Sequence, residues 1–497
     1  MRIWRGLRRI AGGAVLLICA LTVPLRAQSV GMPAASPTAA AAAPARAQAA
    51  YSLPPEQLAK AVALSRIRIT LGIAGAVWGM VFLWLLLATR GWAALERRMQ
   101  GITDRAWMQR GLFFAAFIVI TSLAGLPLDG LAHHFERAYG ISVQGWGSWL
   151  SDNAKALGLA LVLGTPILLL FQSVVKRRPR RYWLDAWAVT LPILAFLLFV
   201  EPLFEPIFNH FEPLQKNHAA LVNELEKVAV RTGTDIPPSR MYLMKASRKT
   251  NGLNAYVSGL GATKRIVVWD TTAGRIPDAE VLFIFGHESG HYVLDHIAKG
   301  FAGSAVGLFF LYWICAGSAA SLLRRFGQGW GATDLQTPDS GPAEGPPGLD
   351  SCTGFVVLVF TISIAMFLTE PVSNAISRHF EHEADVYGQE AIHGIVADPQ
   401  KTAVAAFNAL GAAWLEDPHP NALVVFWLYD HPSIQQRAEF AAHYDPWADG
   451  GHGQFFSYQG SGDDRSGQEL EALDDAGGAR GQSSVATTFQ MPPAQKR

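Results

Sequence analysis

His287-Glu288-Ser289-Gly290-His291 sets two imidazoles four residues apart, with a carboxylate beside the first. On a helix this spacing puts both rings on one face about one turn apart, the geometry that two ligands of a single zinc require. Glu288 is then placed to take a proton from a metal-bound water and later deliver it to a leaving amine. With 14 histidines in 497 residues, chance predicts roughly 0.02 such motifs in a chain of this composition, so the match is informative. The bland alternative is a surface helix with two ordinary histidines. It sits badly with Phe283, Phe285 and Val293, apolar neighbours that mark a packed helix in which unpartnered imidazoles are costly. Pro277-Asp278-Ala279-Glu280 suits the start of this helix, with acidic residues where the dipole favours them.

A catalytic zinc needs a third protein ligand and an open position. His296 lies nine residues after His287, roughly 180° around a continuing helix, and is expected to face away from the metal. The better source is Ser377-Arg378-His379-Phe380-Glu381-His382-Glu383-Ala384-Asp385, where Glu381 and Asp385 share a helix face. One of the two can ligate while the other hydrogen-bonds a ligand imidazole and fixes its tautomer. On spacing alone, His379 and His382 remain competitors for the ligand role. His431 and Arg437 offer cationic charge for an oxyanion, though a helix-start His-Pro and a surface arginine are ordinary features. Arg265–Asp270 reads as a short strand preceded by turns at Gly259 and Gly261. Such a strand beside a metal helix can pair a substrate backbone, or it can be a plain structural hairpin.

The elements that position these groups are mostly apolar. Half of the chain is apolar, only 16 % is charged, and mean hydropathy is +0.19, whereas soluble domains carry about 25 % charge. Six apolar runs, near Ile69–Thr89, Gly111–Leu128, Ala156–Val175, Trp183–Leu203, Phe301–Leu323 and Thr353–Thr369, are candidate membrane spans. The second is short and interrupted by Gly125 and Pro127, which leaves its ends open. Polar stretches cover Glu205–Lys299 and Glu370 to about Trp447, and Gly327–Asp350 reads as a flexible loop. A basic start followed by an apolar run from Ile10 to Val23 resembles a signal peptide or an uncleaved anchor. A formal charge of +1 gives no global field for nucleic acid, and three cysteines cannot build a disulfide framework or a thiolate metal cluster.

Together these residues resemble the type 1 CAAX prenyl protease family and its bacterial relatives, integral-membrane zinc metallopeptidases. The resemblance is carried by Asn254-Ala255-Tyr256-Val257-Ser258-Gly259, Lys264 through Thr271, and the His287–His291 motif with His296 beyond. It continues in Ser377-Arg378 leading to Glu381 and Ala384-Asp385, and in His431-Pro432-Ser433 with Arg437. Order and spacing follow the family from roughly residue 51 to 447. It implies His287, His291 and Glu381 as ligands of one zinc per chain and Glu288 as general base. Asp385 matches an acidic position assigned a proton-donor or ligand-orienting role. Asn254, His431 and Arg437 match positions near the scissile bond, His431 as a catalytic group and the other two as substrate-binding. The implied fold is an all-α membrane barrel of about six to seven spans enclosing a chamber, with a small α+β zinc metallopeptidase domain. Gly252-Leu253 stands where the family often has His-Ser, and Ser289 replaces the usual leucine.

The expected organisation is a signal peptide or anchor (1–27), a low-complexity linker (28–50), four spans (51–204) and a metallopeptidase domain (205–299). Two further spans with their loop (300–372), the second half of the zinc site (373–447) and a disordered tail (448–497) follow. The expected activity is zinc-dependent endopeptidase action on a peptide or membrane-protein substrate drawn from the bilayer, with no nucleic-acid partner. A quality-control peptidase differs only in substrate. A transporter or assembly protein with a structural zinc is the rival from another class, and structural zinc usually closes with four ligands, often cysteines. The expected location is the cell inner membrane, as a multi-pass protein. Basic residues crowd Arg90–Arg110 and Lys176–Arg181 but not the loop from Asp129. The positive-inside rule therefore puts the zinc domain on the periplasmic side, whereas the eukaryotic relatives point to the cytoplasmic side.

Overall fold

The structure is a computed structural model and describes residues 50–333 and 345–456. The signal-like start, nearly all of the linker, the middle of the Gly327–Asp350 loop and the tail from 457 lie outside the described residues. In chain order the first helices are α1 (Pro55–Ala88), α2 (Gly91–Gln100), α3 (Ala106–Ala138), α4 (Trp146–Arg177, with a π-helical turn at Ala160–Gly164) and α5 (Tyr182–Phe208). Strand β1 (Phe211–Pro213), helix α6 (Ala219–Thr232) and strands β2 (Met241–Met244), β3 (Ala255–Ser258) and β4 (Arg265–Trp269) come next. Helices α7 (Asp278–Val293), α8 (His296–Trp330), α9 (Cys352–Ala391), α10 (Pro399–Trp414), α11 (Ala422–Leu428) and α12 (Ile434–His443) complete the body. Residues from Pro446 form a separate unit, whose described part holds a 3-10 turn at Ala448–Gly450.

Six helices, α1, α3, α4, α5, α8 and α9, are long and apolar enough to cross a membrane. Each covers one of the six apolar runs, α1 to within its last residue, and extends beyond it at one end or both. The interruption expected in the second run is absent, because α3 continues through Gly125 and Pro127. Proline removes one helical hydrogen bond, whereas unravelling a turn in hydrocarbon would strand several polar backbone groups. Large apolar side chains such as Trp84, Phe196, Phe199, Phe310, Trp313 and Leu368 are exposed on these helices, as lipid-facing surface requires. Only 11 % of the apolar window of α1 is buried, against 61 % for α9, so α9 is the central span.

Two contacts tie the helix ends beside the basic loops. Glu96 of α2 accepts from Cys352 N and Thr353 N, both at 2.8 Å, satisfying donors that the first turn of α9 leaves without helical partners. Arg90 donates to the Gln328 and Gly329 carbonyls at the end of α8, where a cation meets the negative pole of the helix. Trp92, Phe113, Phe114, Phe117 and Phe355 fill the core just behind.

At the opposite ends of the spans a second core joins α6, the sheet, α7, α10 and α12 through Leu221, Leu225, Ile266, Val268, Phe283, Phe407 and Ala438. The strand order is β1-β2-β4-β3. β2 pairs parallel with β4, and β3 pairs antiparallel with it, Ala255 opposite Val268. Gly259 and Gly261 take φ of +85° and +55°, the left-handed backbone that the turn between β3 and β4 demands. The strand expected at Arg265–Asp270 is therefore central, with both sides occupied. The edge that remains on this side of the sheet is β3, which packs against α7.

Candidate metal centre

Helix α7 begins after Pro277, with Asp278 and Glu280 in its first turn. It presents His287 and His291 toward α9, the span whose far end carries Glu381 and Asp385. The two helices touch through glycine. A Cβ on Gly388 would lie 2.7 Å from the His287 backbone N, and one on Gly286 would lie 3.1 Å from the Gly388 carbonyl. Removing both side chains lets the helices approach closely enough for residues almost a hundred positions apart to share one site.

His287 Nε2 and His291 Nε2 are 3.2 Å apart. Glu381 Oε2 is 3.5 Å from the first, and Glu381 Oε1 is 3.7 Å from the second. These atoms form the one His/Cys/Asp/Glu group of metal-binding geometry among the described residues. Ligands about 2.0–2.1 Å from a tetrahedral ion stand roughly 3.3–3.4 Å from one another, so the donor set fits a metal. Two imidazoles and a carboxylate, with no cysteine, match the catalytic rather than the structural pattern.

Behind the donors lies a charged clamp. Asp385 Oδ1 is 2.9 Å from His287 Nδ1, while Arg437 of α12 donates Nε to Asp385 Oδ2 at 2.9 Å and Nη2 to Oδ1 at 2.5 Å. The Arg437 guanidinium also lies over the Phe407 ring, 4.7 Å from its centroid. Both Asp385 oxygens are engaged, one of them against His287, an arrangement that can orient the imidazole. Arg437, a position the family resemblance sets near the scissile bond, is part of this clamp and partly buried. Burial alone would push the His287 imidazolium down, but the Asp385 and Glu381 carboxylates outweigh it and carry the pKa up to about 9 in the metal-free chain.

His431 places Nε2 3.1 Å from Glu381 Oε2 and Nδ1 2.8 Å from Asp430 Oδ1. Its loop is held by Arg378 of α9, which donates to the Val425 and Tyr429 carbonyls. Asn254 lies immediately before the edge strand, its backbone N–H and carbonyl both hydrogen-bonded to the Thr272 hydroxyl. The competing histidines fall outside the donor group: His379 is half-exposed beside Glu383, and the His382 ring packs edge-on against Phe440.

The expectation for His296 needs correction. α7 stops at Val293, and Asp295 turns the chain with φ of +56°, so the angle counted along one helix does not apply. His296 is no member of the donor group, yet it does not face away either: its Nδ1 is 3.1 Å from His291 Nδ1. Glu383, 3.0 Å from His296 Nε2, was not legible as a site residue, because its partner lies across a break that the sequence marks with neither glycine nor proline.

Two family models match the chain: "Peptidase family M48" over residues 215–445, and "CAAX prenyl protease N-terminal, five membrane helices" over residues 38–210. The uncharacterized metalloprotease YhfN of Bacillus subtilis is 32% identical over 398 residues, covering 80% of this chain and 88% of the relative. The human CAAX prenyl protease 1 homolog is 24% identical over 371 residues, covering 66% and 72%. The crystal structure of S. mikatae Ste24p superposes with a TM-score of 0.61 at 21% identity, over 78% of this chain and 89% of that one. This last likeness bears on the fold.

Proposed function

Because the chain belongs to peptidase family M48 and is a multi-span membrane metalloendopeptidase, we propose that its metal is one Zn2+ held by His287, His291 and Glu381, with Glu288 as general base. The observation that carries this reading is the convergence of two imidazole nitrogens and one buried carboxylate at tetrahedral spacing. Bound there, zinc supplies Lewis acidity toward the scissile carbonyl and lowers the pKa of water.

The chain's own residues do the rest. Glu288, one residue after the first ligand, receives the proton of the attacking water and returns it to the leaving nitrogen. Asp385, clamped by Arg437, keeps the His287 proton on Nδ1 and so leaves Nε2 as the donor atom. His431 steadies the Glu381 carboxylate and stands ready to stabilise negative charge on the substrate oxygen. The open side of β3 pairs an extended peptide, with Asn254 at its start to contact the bound backbone. The substrate is a peptide segment that reaches the site from the bilayer, the C-terminus named for the CAAX prenyl protease relatives being one candidate. We place the zinc domain on the periplasmic side of the inner membrane. This rests on the basic loops at Arg90–Arg110 and Lys176–Arg181, which gather at the other ends of the spans.

Glu288→Gln tests the reading. It should retain stoichiometric zinc and lose peptide hydrolysis by at least about 100-fold, in keeping with the usual contribution of a general base. Hydrolysis at the parent rate on any peptide the parent cuts would refute the assignment.

A further inference from the structure

Ligand histidines need a partner for the ring nitrogen that does not bind metal. His287 finds one directly in Asp385. We propose that His296 and Glu383 form the corresponding device for His291, a positioning relay in which a second imidazole stands between ligand and carboxylate. This rests on the reading of His291 as a metal ligand through Nε2.

The directions of the hydrogen bonds follow from valence. With Nε2 committed to the metal, the His291 proton is on Nδ1, and the group facing it is His296 Nδ1 at 3.1 Å. His296 Nδ1 must then be the acceptor, so its own proton is on Nε2. That nitrogen lies 3.0 Å from Glu383 Oε2, which accepts. The other Glu383 oxygen is 3.4 Å from His379 Nε2, a half-exposed ring at the outer end of the chain. Metal binding at His291 thus selects one tautomer in each ring, and the relay in turn selects the His291 tautomer that can bind metal.

The fold spends specific features on this arrangement. The left-handed Asp295 brings His296 back toward the end of α7. His296 is 1% exposed, and its ring stacks on Phe380, with centroids 4.0 Å apart and planes 7° apart. A ring kept only for packing would leave two buried nitrogens to be satisfied at a cost, whereas here both have partners of the required type. The two ligands are consequently supported unequally: His287 touches a full charge, while His291 is separated from one by a neutral ring.

The test uses the full chain in detergent and reads zinc affinity by chelator competition. His296→Phe preserves the ring and its stack on Phe380 but removes the acceptor, and should weaken zinc binding roughly 10–100-fold. His296→Gln offers a carboxamide oxygen to the His291 proton and should recover part of the loss. Glu383→Gln, which keeps volume and one acceptor, should weaken binding several-fold. It also serves if His296→Phe does not fold. Cobalt substituted for zinc should show shifted ligand-field bands in these variants. Zinc affinity within about twofold of the parent in His296→Phe, or in Glu383→Gln where that variant stands in, would overturn the relay. So would equal losses in the Phe and Gln variants that track a fall in metal-free thermal stability. If the parent binds no zinc, or His291→Ala binds it as tightly as the parent, then the ligand assignment itself has failed.

Discussion

The Asp385–His287 contact makes zinc capture pH-dependent in a specific way. In the metal-free protein, burial pushes the His287 imidazolium down, and the Asp385 and Glu381 carboxylates overcome this to carry its pKa from 6.5 to about 9. A metal ligand must be neutral at the coordinating nitrogen. At pH 7 only about one His287 in a hundred is neutral, so this residue alone should make apparent zinc affinity rise about tenfold per pH unit between 7 and 9, then level off. Calorimetric zinc titrations at pH 7.5, in buffers of different ionisation enthalpy, should detect about one proton released from this ring. Asp385→Asn removes the largest raising influence, so proton release at pH 7.5 should shrink and the slope flatten. At pH 9 affinity should still be lower than the parent's, because the asparagine holds His287 less firmly. Stability moves in the opposite sense. The folded pKa lies above the unfolded value, so the contact stabilises the metal-free fold fully below pH 6.5 and is lost as pH rises through 9. A rise from 6.5 to about 9 corresponds to roughly 3 kcal/mol at about 1.4 kcal/mol per tenfold. The metal-free melting temperature should therefore fall between pH 6.5 and 9, and less so in Asp385→Asn. Parent zinc affinity that stays flat from pH 7 to 9 would refute the reasoning.

Glu381→Ala should bind zinc far more weakly than the parent, since it removes one donor of three and the carboxylate that faces both histidines; metal analysis of the purified variant checks this, and full occupancy at limiting zinc would exclude Glu381 as a ligand. For orientation, single cysteines replacing Arg248, exposed beside the sheet, and Arg98, exposed in the basic loop region, should react differently with an impermeant thiol reagent in intact cells. Labelling at position 248 alone supports a periplasmic zinc domain. Labelling at 98 alone reverses it.

What could be read in advance was governed by how local each signal is. Six spans were legible because an apolar run long enough to cross hydrocarbon needs no knowledge of its neighbours. The two histidines were legible because a helical period fixes their mutual geometry within five residues. Where tertiary context decided, the reading stopped short. Pro127 did not break its helix, because the surrounding medium penalises exposed backbone more than proline penalises the helix. Arg265–Asp270 reads as a strand from its residues, whether peptide-pairing or plain hairpin, but pairing order is a property of the whole sheet, and the edge on this side is β3. The pairing of Arg437 with Asp385 spans 52 residues of sequence, and only the position of α12 brings the two together. His296 failed for a sharper reason: an angle per residue has meaning only while the helix continues, and one left-handed aspartate resets it.

The separation of the site into two sequence halves follows from the parity of the spans. Between His291 and Glu381 the chain leaves along α8 and returns along α9, and an even number of crossings brings it back to the side it left. With one span fewer, the carboxylate would end a membrane thickness away. Parity alone brings it only to the right side. The last ångströms come from α9 running on without a break through Pro371 to Ala391, so that its outer turns are rigidly coupled to a buried span. They come also from Gly286 and Gly388, which let α7 settle against those turns. Glu96 and the Arg378 contacts then hold opposite ends of the same helix. α9 is thus both the central wall of the membrane part and the element that carries Glu381 and Asp385. The donor geometry of the site therefore depends on how that helix is packed along its whole length.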